Sequence, residues 1–256
     1  MGRFKVGVQL EPQHCTVAEL RRAWRDLDAL GVDSIWTWDH FFPLHGDPDG
    51  AHYEGWTLLT AAACDTRQAA LGVLVSCNSY RSPDLLADIA RTADHVSGGR
   101  VILGIGAGWC ERDYEGYGFE FGTEATRVAA LAASLPRLKA RLAKLNPPPL
   151  GSMPILIGAE GERVMLRLVA EHADIWNGFG PVETFAHKNR VLDGWCERVG
   201  RDPADVERSV TLTNREDPER VEEFATAGAQ HLILPLGAPF DIKPVERLLT
   251  AAKGGG

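Results

Sequence analysis

The sequence lacks most of the short signatures that announce a chemistry. No CxxC pair occurs among its five cysteines, Cys15, Cys64, Cys77, Cys110 and Cys196. Their scatter and odd number exclude a disulfide framework and a zinc finger. Reduced thiols, and hence a cytoplasmic protein, are expected. No apolar run approaches the ~20 residues that span a bilayer, and the opening MGRFKVGVQLEP has no apolar signal-peptide core. Acids outnumber bases 35 to 27, a formal net charge of −8, and no dense basic block appears, so neither a nucleic-acid nor a membrane partner is expected. There is no G-x-S-x-G nucleophile elbow and no Walker loop. Gly104-x-Gly106-x-Gly108 misses the G-x-G-x-x-G spacing of a dinucleotide fingerprint. No linker long enough to split the chain is present, so residues 1–256 read as one domain. Hydrophobic residues make up 45% and charged residues 24%, an ordinary globular composition that rules out disorder.

What is present is an alternation. Strand-like runs at 4–10, 34–38, 71–75, 101–105, 154–157, 173–176, 210–213 and 231–236 are separated by segments of helical spacing. The helices are expected at 17–30, 82–96, 124–145, 162–172, 183–199, 218–227 and 245–252. Two long loops, 39–55 and 106–122, interrupt the pattern. Residues 254–256 read as a frayed end. About eight strand–helix units predict an α/β fold, a (β/α)8 TIM barrel. A doubly wound open sheet is the alternative that uses the same alternation.

A barrel places its site where the strands end. Those ends carry Asp39 and His40 after the second strand, and Ser76, Cys77 and Asn78 after the third. Gly106, Ala107, Gly108 and Trp109 follow the fourth, Gly158, Ala159, Glu160 and Gly161 the fifth, and Trp176 with Asn177 the sixth. A histidine beside an acid at a strand end suits proton transfer near neutral pH. A turn of glycines leading into a helix start suits a phosphate. The glycines near 106 are read as letting a flat ligand approach the backbone. Trp38, Trp56, Trp109 and Trp176 are candidates for the walls of a pocket for a planar ring, whereas Trp24 and Trp195 fall at core spacing. His45, Asp47, Asp49 and His52 match no ligand spacing, and no metal is expected.

Four segments carry a family resemblance: Trp38 to Phe42 (WDHFF), Val75 to Pro83 (VSCNSYRSP), Leu86 to Trp109 (ending DHVSGGRVILGIGAGW), and Pro154 to Asn177 (PILIG, then LVAEHADIWN). In these the chain resembles the luciferase-like monooxygenase superfamily, specifically its deazaflavin (coenzyme F420) dependent oxidoreductases. The resemblance covers most of residues 1–180. It implies a luciferase-like barrel with the cofactor at the strand ends, and a non-proline cis peptide after strand three, expected at Ser76-Cys77, behind the ring. It also implies contacts from Gly106 to Trp109 and Gly158 to Gly161 with the cofactor's ribityl and phosphate groups. Asp39 and Asn78 would lie near the ring, and His40 would be the acid or base. Homodimers are implied by analogy with relatives. Trp109 stands where sugar-phosphate dehydrogenases of the family carry a Glu, and the turn reads Gly-Ala-Glu-Gly, with a methyl and a negative charge beside the phosphate. The expected function is hydride transfer between coenzyme F420 and a small organic substrate. An FMN-dependent monooxygenase and a non-catalytic barrel that only binds flavin or deazaflavin are the rivals.

Overall fold

The computed structural model describes residues 3–213 and 219–254. The eight parallel strands expected close into a barrel ringed by helices, which excludes the open doubly wound sheet. The strands are β1 (Lys5–Leu10), β2 (Ser34–Thr37), β3 (Ala70–Val73), β4 (Ser76–Cys77), β5 (Val101–Gly106), β6 (Ile155–Gly158), β7 (Ile175–Gly178), β8 (Glu207–Thr211) and β9 (His231–Leu236). The ring runs β3-β2-β1-β9-β8-β7-β6-β5-β4, and β3 pairs with β5 to close it.

Nine segments make eight staves because the third stave is broken. The ladder stops after Val73, and Ser76 and Cys77 rejoin it opposite Ile105 and Gly106. The cis peptide lies in the break, at Leu74-Val75, and not at Ser76-Cys77 as expected. Ser76 and Cys77 are already back in register there, so the departure from the ladder falls two residues earlier. Val75 then reaches over the neighbouring staves. A Cβ on Gly106 would stand 2.7 Å from its Cγ2, and one on Gly158 3.2 Å from its Cγ1.

The barrel interior is filled by Trp36, Leu74, Ile102, Leu156, Ile175 and Ile233. Bulk on one stave is matched by its absence on the next: a Cβ on Gly72 would lie 2.3 Å from the Trp36 ring. The lower end is plugged by polar groups. Ser34 Oγ and His231 Nε2 are 2.8 Å apart, and Trp36 Nε1 donates to the same oxygen.

The helices are α1 (Val17–Leu30), α2 (Gly55–Asp65), α3 (Pro83–Ser97), α4 (Glu111–Tyr117), α5 (Glu124–Leu142), α6 (Met165–His172), α7 (Val182–Val199), α8 (Val221–Thr226) and α9 (Lys243–Ala252). Local chemistry sets their ends. Thr16 and Glu19 form a capping box on α1, and Gly31 closes it at φ +85°. Ser82 caps α3 with Pro83 in its first turn, and Gly98 closes it. One helix, α4, lies within the expected loop 106–122, and another, α2, fills a stretch before the third strand to which no element is assigned. α2 is apolar all round its buried part, so it shows no amphipathic spacing, and α4 is a single short segment with Gly116 inside. The seventh stave begins at Glu207, earlier than the apolar run 210–213 suggests, because polar Arg208 and Ser209 are ladder residues. Pro218, where a helix was expected to start, and Gly255 and Gly256 lie outside the described residues. Among the described residues no helix is long and apolar enough to cross a membrane.

The close approach of β5 to the broken stave is directly testable. A Cβ on Gly104 would stand 2.1 Å from the Val73 carbonyl oxygen, a backbone atom that cannot swing away, whereas one on Gly194 in α7 would meet nothing within 4 Å. Gly104→Ala is expected to cost roughly 1–3 kcal/mol or more, as overpacking does. Gly194→Ala is expected to add about 0.5–1 kcal/mol, as helix-interior glycines do. Urea unfolding of the two variants against wild type reads both.

Candidate active site

The strand C-termini surround one cavity of about 410 Å³, within the size range of small-molecule sites. Eleven of the residues singled out in the sequence line it together: Asp39, His40, Cys77, Gly106, Ala107, Gly108, Trp109, Gly158, Ala159, Glu160 and Gly161. Four do not reach it. Ser76 is buried behind the wall, where its Oγ accepts from Trp56 Nε1. Asn78 lies beside it, its backbone N–H held by Gly106 O. Trp176 turns outward from β7 into the helical layer, stacked on Phe185 at 5.1 Å with Nε1 donating to Ala159 O. Asn177 is spent on Ser209 and Thr211. For Ser76 and Trp176 the reason is strand alternation, which turns them out of the barrel; Asn177, on the opposite face from Trp176, is instead held by its bonds to Ser209 and Thr211. Of the four tryptophans proposed as ring walls, only Trp109 lines the cavity; Trp38 stacks on His52 and Trp56 is in the core.

The other lining residues were missed: Leu74, Val75, Tyr80, Glu124, Arg127, Val128, Met165 and Phe179. Half of them, Glu124, Arg127, Val128 and Met165, sit on α5 or α6, where sequence spacing announces a helix but not which face it turns to the barrel mouth.

Asp39 is buried in the wall and fully engaged. Arg81 donates to both carboxylate oxygens, at 2.6 and 3.0 Å, and the Cys77 backbone N–H donates at 2.8 Å. This carboxylate clamps the end of β2 to the broken stave. The thiol of Cys77 packs 3.2 Å from the Tyr114 hydroxyl, and burial pushes it up. A Cβ on Gly108 would stand 2.1 Å from that hydroxyl. With the demands of Val75 on Gly106 and Gly158, these glycines make room for the protein's own atoms while also lining the cavity.

His40 lines the cavity with its ring held from behind. Its Nδ1 lies 2.6 Å from Asp113 Oδ2. Asp113 is wholly buried on α4, and its other oxygen accepts from the Phe41 backbone N–H at 2.9 Å while Tyr80 donates at 3.1 Å. Burial works against the Asp113 anion, but these donors outweigh it and hold the carboxyl below its usual range. An ionised carboxylate only accepts, so Nδ1 carries the hydrogen. Burial likewise opposes charge on His40. The bond to Asp113, helped by Cys110, overrides it and lifts the imidazole from 6.5 to about 9. His40 is therefore a protonated imidazolium at neutral pH, with Trp38 and Trp109 edge-on to its ring.

The native chain holds a proton on His40 that the unfolded chain gives up near pH 6.5. The stability this contributes is complete below about pH 6.5 and is lost as pH rises through about 9. Urea midpoints of wild type are expected to fall across that window more steeply than those of His40→Asn. Parallel slopes would mean the pair does not exist in solution.

A family model described as luciferase-like monooxygenase matches residues 3–247. The chain is 32% identical over 239 residues to 5,10-methylenetetrahydromethanopterin reductase of Archaeoglobus fulgidus, covering 87% of this chain and 68% of that protein. It is 31% identical over 135 residues to the F420-dependent glucose-6-phosphate dehydrogenase of Amycolatopsis mediterranei, covering 52% of this chain and 40% of that one. The solved structure of an F420-dependent secondary alcohol dehydrogenase in complex with an F420-acetone adduct superposes with a TM-score of 0.84 at 14% identity, over 97% of this chain and 98% of that one; at that identity the likeness is one of fold. The barrel, its broken third stave and these matches place the chain in the luciferase-like monooxygenase family.

Proposed function

We propose that this chain is an F420-dependent oxidoreductase that reduces an uncharged carbonyl compound, with His40 as the proton donor. The observation that carries this reading is the His40–Asp113 pair in the wall of a cavity at the strand ends. A group that is protonated at neutral pH suits the direction that consumes a proton, which is ketone to alcohol. The reverse direction needs His40 as a base and would gain only above about pH 9.

The residues present fit a deazaflavin with a phosphate-bearing tail. The turn 158–161 leads into α6, and the N–H groups of Glu160, Gly161 and Glu162 donate to no acceptor among the described residues. Such free N–H groups suit an anion. The negative charge of Glu160 is answered by the buried Lys188 of α7, which donates to its carboxylate. Leu74, Val75, Cys77, Ala107 and Gly108 supply an apolar floor for a planar ring. When bound, the reduced cofactor supplies the hydride. Fixing the carbonyl and delivering the proton fall to the protein.

The lining also speaks to the substrate. Arg127 is occupied by the carbonyls of Gly108 and Phe121 and lies over the Phe121 ring. Arg81 is committed to Asp39. The His40 imidazolium is paired with Asp113, and with Asp39, Glu124 and Glu160 along the wall no unpaired cation among the described lining residues is left for an anionic substrate. This disfavours sugar phosphates and favours ketones, in keeping with the name of the alcohol dehydrogenase whose fold the chain shares.

The test is a fluorescence titration of the purified protein with F420 and with FMN, followed by oxidation of reduced F420 over a panel of neutral ketones and sugar phosphates. Saturable F420 binding and turnover of a ketone are expected. His40→Asn is expected to lower turnover by about 10²–10³-fold, the usual contribution of a general acid, with cofactor affinity changed less than about threefold. Binding of FMN alone would overturn the cofactor assignment, and binding of F420 without turnover of any substrate would leave a carrier barrel.

A further inference from the structure

The five cysteines are not equivalent. Cys15, Cys77 and Cys196 are buried, and burial pushes their thiols up. Cys64 is exposed on α2. Cys110 is half-buried, directly after Trp109, whose side chain is 66% exposed at the cavity mouth. Cys110 and Asp113 stand three residues apart across the start of α4, and the loop after β2 brings His40 between them. The Cys110 sulfur, a His40 ring nitrogen and an Asp113 carboxylate oxygen all lie within 4.8 Å of one another. The order is nucleophile, imidazolium and orienting carboxylate, with Asp113 already fixing the ring through Nδ1. Nothing in the ketone reduction proposed above calls for the thiol.

We propose that Cys110 is a thiol modification site, activated by His40 and Asp113, that adds to soft carbon electrophiles of the α,β-unsaturated carbonyl class. In that step the thiol proton leaves to solvent, because His40 already carries its own, and the imidazolium steadies the sulfur anion. The sulfur bonds to the β-carbon, the carbon–carbon π pair moves onto the carbonyl, and the α-carbon takes a proton. An S–H bond and a C=C π bond are exchanged for an S–C and a C–H bond, so no oxidant or reductant is needed. The adduct sits next to His40 and Trp109, both of which line the cavity. The inference rests on the geometry of three side chains and holds or fails independently of which cofactor the cavity takes.

The test uses the native full-length protein, limiting N-ethylmaleimide as the probe, and peptide mapping by mass spectrometry, with Cys64 as the internal reference. Cys110 is expected to be labelled at least about tenfold faster than Cys64 although it is less exposed, as thiols beside an imidazolium are. In His40→Asn the Cys110 rate is expected to fall at least about tenfold while the Cys64 rate holds. Asp113→Asn, which keeps the shape of the orienting group, is expected to lower it in the same sense. Labelling of Cys110 no faster than Cys64 in the wild type overturns the proposal, and that comparison needs no variant. An unchanged Cys110 rate in a folded His40→Asn also overturns it.

Discussion

One buried carboxylate organises the working end of this barrel. Asp113 takes the imidazole of His40, the backbone N–H of Phe41 and the hydroxyl of Tyr80, and so ties together the loop after β2, the segment after the broken stave and α4. An unpaired carboxylate at zero exposure would be costly to ionise, and each of these donors offsets part of that cost. The arrangement works in both directions. The donors keep Asp113 charged, and the charge keeps His40 protonated and its ring turned one way. The side chain that lines the cavity is thus held by one that does not.

A second constraint is steric. The third stave leaves the ladder between Val73 and Ser76, and Val75 is carried over the strands beside it. Gly104, Gly106 and Gly158 are small because the backbone of Val73 and the side chain of Val75 occupy the space a Cβ would need. The glycine-rich look of the β5 end, which invites comparison with phosphate loops, is a packing requirement of the barrel. Its consequence for the site is indirect: the same close packing leaves the small residues Ala107 and Gly108, with Val75, in the lining of the cavity.

Besides His40–Asp113, two further ion pairs show how charge is disposed around the cavity. Arg81 neutralises Asp39 inside the wall, and Lys188 neutralises Glu160 at the turn before α6. Both carboxylates were visible in the sequence as candidate site residues. Neither partner was, because Arg81 lies 42 residues beyond Asp39 and Lys188 lies 28 beyond Glu160. Local signal was available for only one part of the site: Cys110-x-x-Asp113 places two polar groups one turn apart directly after the Gly106 to Trp109 run, in a segment otherwise read as loop.

The sequence by itself determined the barrel, the helix ends and the strand ends from which the site is built. Those are set by interactions within a few residues: alternation of apolar runs, Thr16 and Ser82 as caps, Gly31 and Gly98 as stops. Only the tertiary structure decided which of those strand-end residues meet. It turned Trp176 away from the cavity, tied Asn177 to Ser209, gave α2 a buried position that its uniform apolarity does not announce, and matched His40 with Asp113 across 73 positions of chain. The physical reason is that caps, turns and periodicity act through neighbours in the chain, whereas a cavity and its charges are made by neighbours in space.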